Sequence, residues 1–129
     1  MIYRGIVLKE SLKGCALPSS VSPYFDGEYP YMLDGRIPMT VFRLKVPQDR
    51  IEAVSAAVAN ELQDTRFFAN LIGDVDMVVI FPRVWIWVEK ARSETADAAR
   101  ALGIKFAIPV HQMSFEKMFE ADHPNARVD

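Results

Sequence analysis

The sequence is short of the residues that most catalytic and metal chemistry requires. In 129 residues it has one cysteine, Cys15, and two histidines, His111 and His123. A single cysteine closes no internal disulfide, which suits a reducing cytoplasm. One cysteine and two separated histidines lack the ligand spacing of a zinc site. The carboxylates Asp26, Glu28, Asp34, Asp74 and Asp76 do not follow the spacing of a calcium loop, and Asp74 after Gly73 reads as a turn residue. No glycine-rich phosphate loop of either common kind occurs. Cys15, Ser19 and Ser20 have no local motif that would hold a base beside them. Lysine and arginine are scattered and the net charge is −2, which argues against a nucleic-acid partner. No apolar run reaches membrane-spanning length, and "MIYRGIVLKE" breaks at Lys9, so neither a membrane span nor a signal peptide is expected. These absences leave a cytoplasmic protein with no cofactor and no metal, more in keeping with a non-enzyme than an enzyme.

What the chain does have is apolar surface. Half of its residues are hydrophobic and a quarter charged, the composition of one ordinary folded domain spanning 1–129. "IYRGIVLKE" (2–10) reads as a strand. From Gly14 to Pro38 prolines, glycines and the aromatics Tyr24, Phe25, Tyr29 and Tyr31 alternate without a clear period. This stretch is expected to be a long, ordered, irregular loop, of the kind that carries function. "MTVFRLKV" (39–46) alternates as a strand and Pro47 ends it. In the following segment Ile51, Val54, Val58 and Leu62 fall on one helical face. "RFFANLI" (66–72) is a further strand, and "GDV" turns into a hairpin. A second helix starts at Ser93, a good N-cap residue, and its apolar stripe of Ala99, Leu102, Gly103 and Phe106 carries it to about Phe106. Gly103 is then a close-packing position rather than a stop. Pro109 excludes further helix, "VHQMSF" reads as an extended segment or short edge strand, and Phe115, Met118 and Phe119 suggest a final helical turn or two. The expected fold is α+β: a two-layer sandwich of mostly antiparallel sheet with two helices on one face, ferredoxin-like with extra strands.

The blocks "IYRGIVLKESL", "VFRLKVPQDRIEAV", "FFANL", "VVIFPRVWIWV" and "GIKFAIPVHQMSF" together resemble a small uncharacterised bacterial family. Its members read "KGIILKESL" early and "SLGIPEHQLDF" near the end. The resemblance covers most of the chain outside 14–38 and the last block aligns without a gap from Leu102 to Phe115. It implies a long second helix and carries over no catalytic residue or substrate. This chain departs from the pattern at Val110, where the family has Glu.

Two places stand out for function. In "MVVIFPRVWIWV" (77–88), a two-residue turn at Pro82-Arg83 pairs Phe81 with Val84, Val79 with Ile86 and Met77 with Val88 on one face. The other face carries Ile80 opposite Trp85 and Val78 opposite Trp87. Such an aromatic face needs a cover: the 14–38 loop, a second copy of the chain or a ligand can supply it, and the expectation is that the loop covers part and a symmetric partner the rest. The sequence therefore suggests a homodimeric interaction module that associates through Trp85, Trp87, Val78 and Ile80. The alternative is a small-molecule binder or enzyme with a cleft between the 14–38 loop and Val110–Gln112. There His111 and Gln112 supply polar groups and Tyr24, Tyr29 and Tyr31 a stacking surface. His111 also has a purely structural reading, and His123, beside Pro124, is expected to face solvent.

Overall fold

The computed structural model describes residues 1–124. Six strands form one antiparallel sheet in the order β2-β3-β1-β4-β5-β6. They are β1 (Ile2–Leu8), β2 (Phe25–Leu33), β3 (Ile37–Pro47), β4 (Ala69–Ile72), β5 (Asp76–Phe81) and β6 (Val84–Glu89). The helices are α1 (Ile51–Glu61), α2 (Ser93–Ile104) and the short α3 (Phe115–Met118). The fold is α+β, as composition and pattern indicated. The β3–α1–β4 crossover leaves β1 between two mutually parallel strands, which is a split βαβ unit of the ferredoxin-like kind. After β6 the described chain does not return to the sheet.

The sheet is buried on both faces, because the strand alternation feeds two separate apolar clusters. Val7, Leu44, Leu71, Val78 and Ile80 face one way and pack with Ile51, Val54, Val58 and Leu62, the helical face read from the sequence. Met77, Val79, Phe81 and Val88 face the other way, against Ala96 and Ala99 of α2 and Phe115 and Met118 of α3. The two long helices therefore lie on opposite faces rather than on one. A strand pair whose two faces are both apolar needs a cover on each.

The hairpin adopts the expected register at every pair from Asp76–Glu89 to Phe81–Val84. Its turn places Arg83 in the left-handed region, φ 67°, and the Arg83 N–H donates to the Ala59 carbonyl at 3.0 Å, tying the turn to α1. Helix α1 covers the centre of the Trp-bearing face, and the 14–38 segment joins the same cluster through Val21, Leu17 and Tyr24. Val78 and Ile80 are fully buried, Trp85 is half-buried in the same cluster, and Trp87 is 39% exposed at the sheet edge, its ring edge-on to Tyr3.

The 14–38 stretch is only partly irregular. A loop and a 3-10 turn (Ser22–Tyr24) lead into β2, an edge strand whose Tyr29, Tyr31 and Leu33 turn inward while Glu28, Pro30 and Met32 stay exposed. Pro30 is tolerated because β2 has a free edge. A bulge at Gly27, φ 107°, adjusts the pairing with β3. The strand expected at 66–72 begins at Ala69, because Arg66 takes φ 80° and donates its N–H to the Phe106 carbonyl at 2.7 Å.

Helix α2 starts at Ser93 itself, with Arg92 in the cap position. Gly103 is buried inside the helix: a methyl there would lie 2.3 Å from Met113 Sδ and 3.1 Å from Phe81. The helix closes with the Ala107 N–H on the Ile104 carbonyl and the Ile108 N–H on the Gly103 carbonyl, a paired C-terminal cap with Ala107 at φ 62°. Phe106, just before, stacks on Phe81. Beyond Pro109 the chain forms a 3-10 turn, Val110–Gln112, instead of an extended strand. That turn leaves Val110 and His111 outside while delivering Met113 and Phe115 to full burial.

Candidate functional site

The helix-covered part of the α2 face gives way, toward β1 and β2, to a cleft with a cavity of about 80 Å³. Its floor is Ile6 and Leu8 of β1 and Asn70 of β4; Phe68 and Met118 complete the apolar wall. The tip of the β2–β3 hairpin forms one rim and the Val110–Gln112 turn the facing one. The hairpin tip is held in a defined shape by Asp34 and Gly35, both with positive φ (54° and 69°). This conformation suits Asp and Gly and joins the strands tightly.

Asp34 bridges the two rims. Its carboxylate pairs with His111 Nε2 at 2.8 Å and accepts from Gln112 Nε2 at 3.0 Å. The His111 bond, with that of Gln112 beside it, holds the Asp34 carboxyl below its ordinary range. Asp122 is likewise engaged, by Arg4 Nε at 2.6 Å, while Arg4 also reaches the Met118 carbonyl at 3.0 Å. Arg66 stands exposed at the rim and makes no side-chain ion pair among the described residues.

The far end is closed by His123. Its ring stacks on Tyr31, with centroids 4.0 Å apart and planes within 18°, and its Nε2 meets the Tyr29 hydroxyl. Burial pushes the Tyr29 phenol up to about 12 and pushes His123 down from 6.5, against the opposing pull of Asp122. At neutral pH the two groups share this bond as neutral phenol and neutral imidazole, its direction set by the imidazole tautomer. His123 is half-buried in this wall and not solvated as expected.

Of the residues read from the sequence as ligand contacts, His111, Gln112 and Tyr31 line the cleft together. Tyr29 lies behind His123. Tyr24 packs on the opposite face of the sheet, with the cluster under α1, and contributes nothing here. Of the four interface candidates, Val78 and Ile80 are sealed under α1 and offer no surface to a partner. Asp34, Asn70, Arg66 and His123 are cleft residues that the sequence reading did not assign to it. Two signals were available: the Asp34-Gly35 turn, and Asn70, a carboxamide inside a four-residue strand that is buried throughout.

Among the described residues no serine, threonine or cysteine lines the cleft, and no group of three or more His, Cys, Asp or Glu is placed to hold a metal ion. No helix among the described residues is long and apolar enough to cross a membrane. No family model matches the chain, and no curated protein or solved structure is detectably similar to it.

Proposed function

We propose that this protein is a binding domain for a small organic molecule, held in the cleft between the β2–β3 hairpin tip and Val110–Gln112. The observation that carries the reading is the Asp34 bridge. It fixes both rims over an apolar floor, and preformed, largely apolar concavities with a few placed polar groups are what ligand sites look like. The oriented His111–Asp34 pair has the form of a general base and its positioning group.

Self-association is the weaker reading. It draws on β6, which is an open sheet edge, and on Trp87, whereas a stable interface takes about 800 Å² per partner. Sedimentation at micromolar concentration tests it, a dimer that Trp87→Lys dissociates being the supporting result.

The cleft reading is tested by a thermal-shift screen against a metabolite set, repeated on Leu33→Trp. Leu33 is half-buried at the rim, so the indole should fill the cleft while the sheet stays intact. Ligands that bind the native state raise its melting temperature. Hits lost in Leu33→Trp support the reading; a silent screen, or hits unaffected by the substitution, would count against it.

A further inference from the structure

Asn70 is 2% exposed and lies on a sheet face with Ile6, Ile72, Met77 and Val79 as its apolar neighbours. A carboxamide in such a place is expected to have protein partners for its oxygen and its nitrogen. Asn70 has only one, and it is poor: Nδ2 donates to the thioether of Met118 at 3.2 Å, sulfur being a weak acceptor. No described donor reaches Oδ1. The oxygen is not sealed away, since among the described residues Ser55 Oγ is the single side-chain polar atom buried without a partner. Asn70 lines the cavity, so its unused hydrogen-bonding capacity is directed there.

We infer that Asn70 reads the ligand, and that the ligand enters with a planar amide edge, a carboxamide or lactam whose N–H and C=O stand side by side. This rests on the reading of the cleft as a ligand site and names the chemistry it takes. A primary amide or lactam supplies the complement that Asn70 lacks: its N–H donates to Oδ1 while its carbonyl accepts from Nδ2, in two parallel bonds. A carboxylate has no hydrogen for Oδ1. A lone hydroxyl cannot meet both atoms along parallel lines. The cavity of about 80 Å³ admits the amide end of a molecule. The apolar wall of Leu8, Phe68 and Tyr31 then takes the ring or chain behind it.

The test uses a matched pair of probes, benzamide and acetophenone, in which an NH₂ is exchanged for a methyl group of similar size. Binding is followed by chemical-shift perturbation in the ¹⁵N-labelled protein, where the Asn70 side-chain NH₂ resonances are a direct reporter. Benzamide should move them and bind at least ~10-fold more tightly, because a site built to pair an N–H rejects the analogue that lacks it. Asn70→Leu should abolish that preference while the chain remains folded. The probe comparison on the unaltered protein needs no variant to fold. Equal binding of both probes in the cleft, or an amide preference that survives Asn70→Leu, overturns the role of Asn70 and leaves the ligand-site reading standing. Failure of both probes to perturb any cleft residue at millimolar concentration overturns the amide inference. A silent metabolite screen besides would bring down the ligand-site reading as well.

Discussion

At the scale of single residues, the backbone shows where this chain accepts strain. Ala107 closes α2 in a left-handed conformation, φ 62°, where glycine is the usual occupant and a Cβ costs about 1–2 kcal/mol. Ala107→Gly should therefore stabilise the protein by about 0.5–1 kcal/mol once the extra freedom of glycine in the unfolded chain is subtracted. A urea midpoint that does not rise would show that the cap is not strained. His123 offers a second test. Its folded pKa lies below the ordinary 6.5, so below pH 6.5 the unfolded chain takes up a proton that the native wall resists. Its contribution is complete above 6.5 and is lost as the pH falls from there toward the native pKa. The melting temperature should drop as the pH falls below 6.5, and His123→Phe, which keeps a ring on Tyr31, should flatten that part of the profile. Further loss on acidification below the ordinary 3.8 belongs to groups such as Asp34.

At the scale of elements, α1 does most to explain the fold, and it was legible: Ile51, Val54, Val58 and Leu62 are each buried to 2% or less. The same helix holds one poor choice. Ser55 is fully buried and its hydroxyl has no partner. Ser55→Ala removes that unmet group and improves helix propensity, so a gain of about 1 kcal/mol is expected in denaturant unfolding. A loss would mean that the hydroxyl meets a buried water. The hairpin register was equally readable, because a two-residue turn fixes every pair that follows. Strand β2 was not. The "LDGR" that follows it carries a hairpin signal, but Pro30 within the strand, three more prolines around it and the bulge at Gly27 hide the alternation that burial then reveals. The placement of the helices on two faces was hard to read for a related reason: a strand that is apolar on both sides says that two covers exist, not which helix supplies which. The cleft was legible only as a pair of segments. That 14–38 and 110–112 belong to one site could be guessed from their polar and aromatic content. Asp34 as the bridge and Asn70 as the floor depend on contacts between residues distant in the chain, which no local pattern encodes.

For the molecule as a whole, the strand order sets the consequences. With β1 in the interior of the sheet, the N-terminal strand is bonded on one side to β3 and on the other to β4. Removing residues 2–8 would part the β2–β3 hairpin from the β4–β5–β6 meander, and neither piece retains a common sheet. Such a truncation should be unfolded by circular dichroism, whereas removal of an edge element would be survivable. The same arrangement reaches into how the protein is made. Ile2–Leu8 leaves the ribosome well before its partners, 41–47 and 70–72. At typical synthesis speeds this apolar strand waits on the order of 5 to 10 s for its second neighbour. During that time it is exposed to other nascent chains and to chaperones. Refolding from denaturant should likewise be slow for a chain of this size, because the ends of long loops must meet before any central pairing is rewarded. The strand that anchors the finished sheet is thus the one most at risk while the chain is being built.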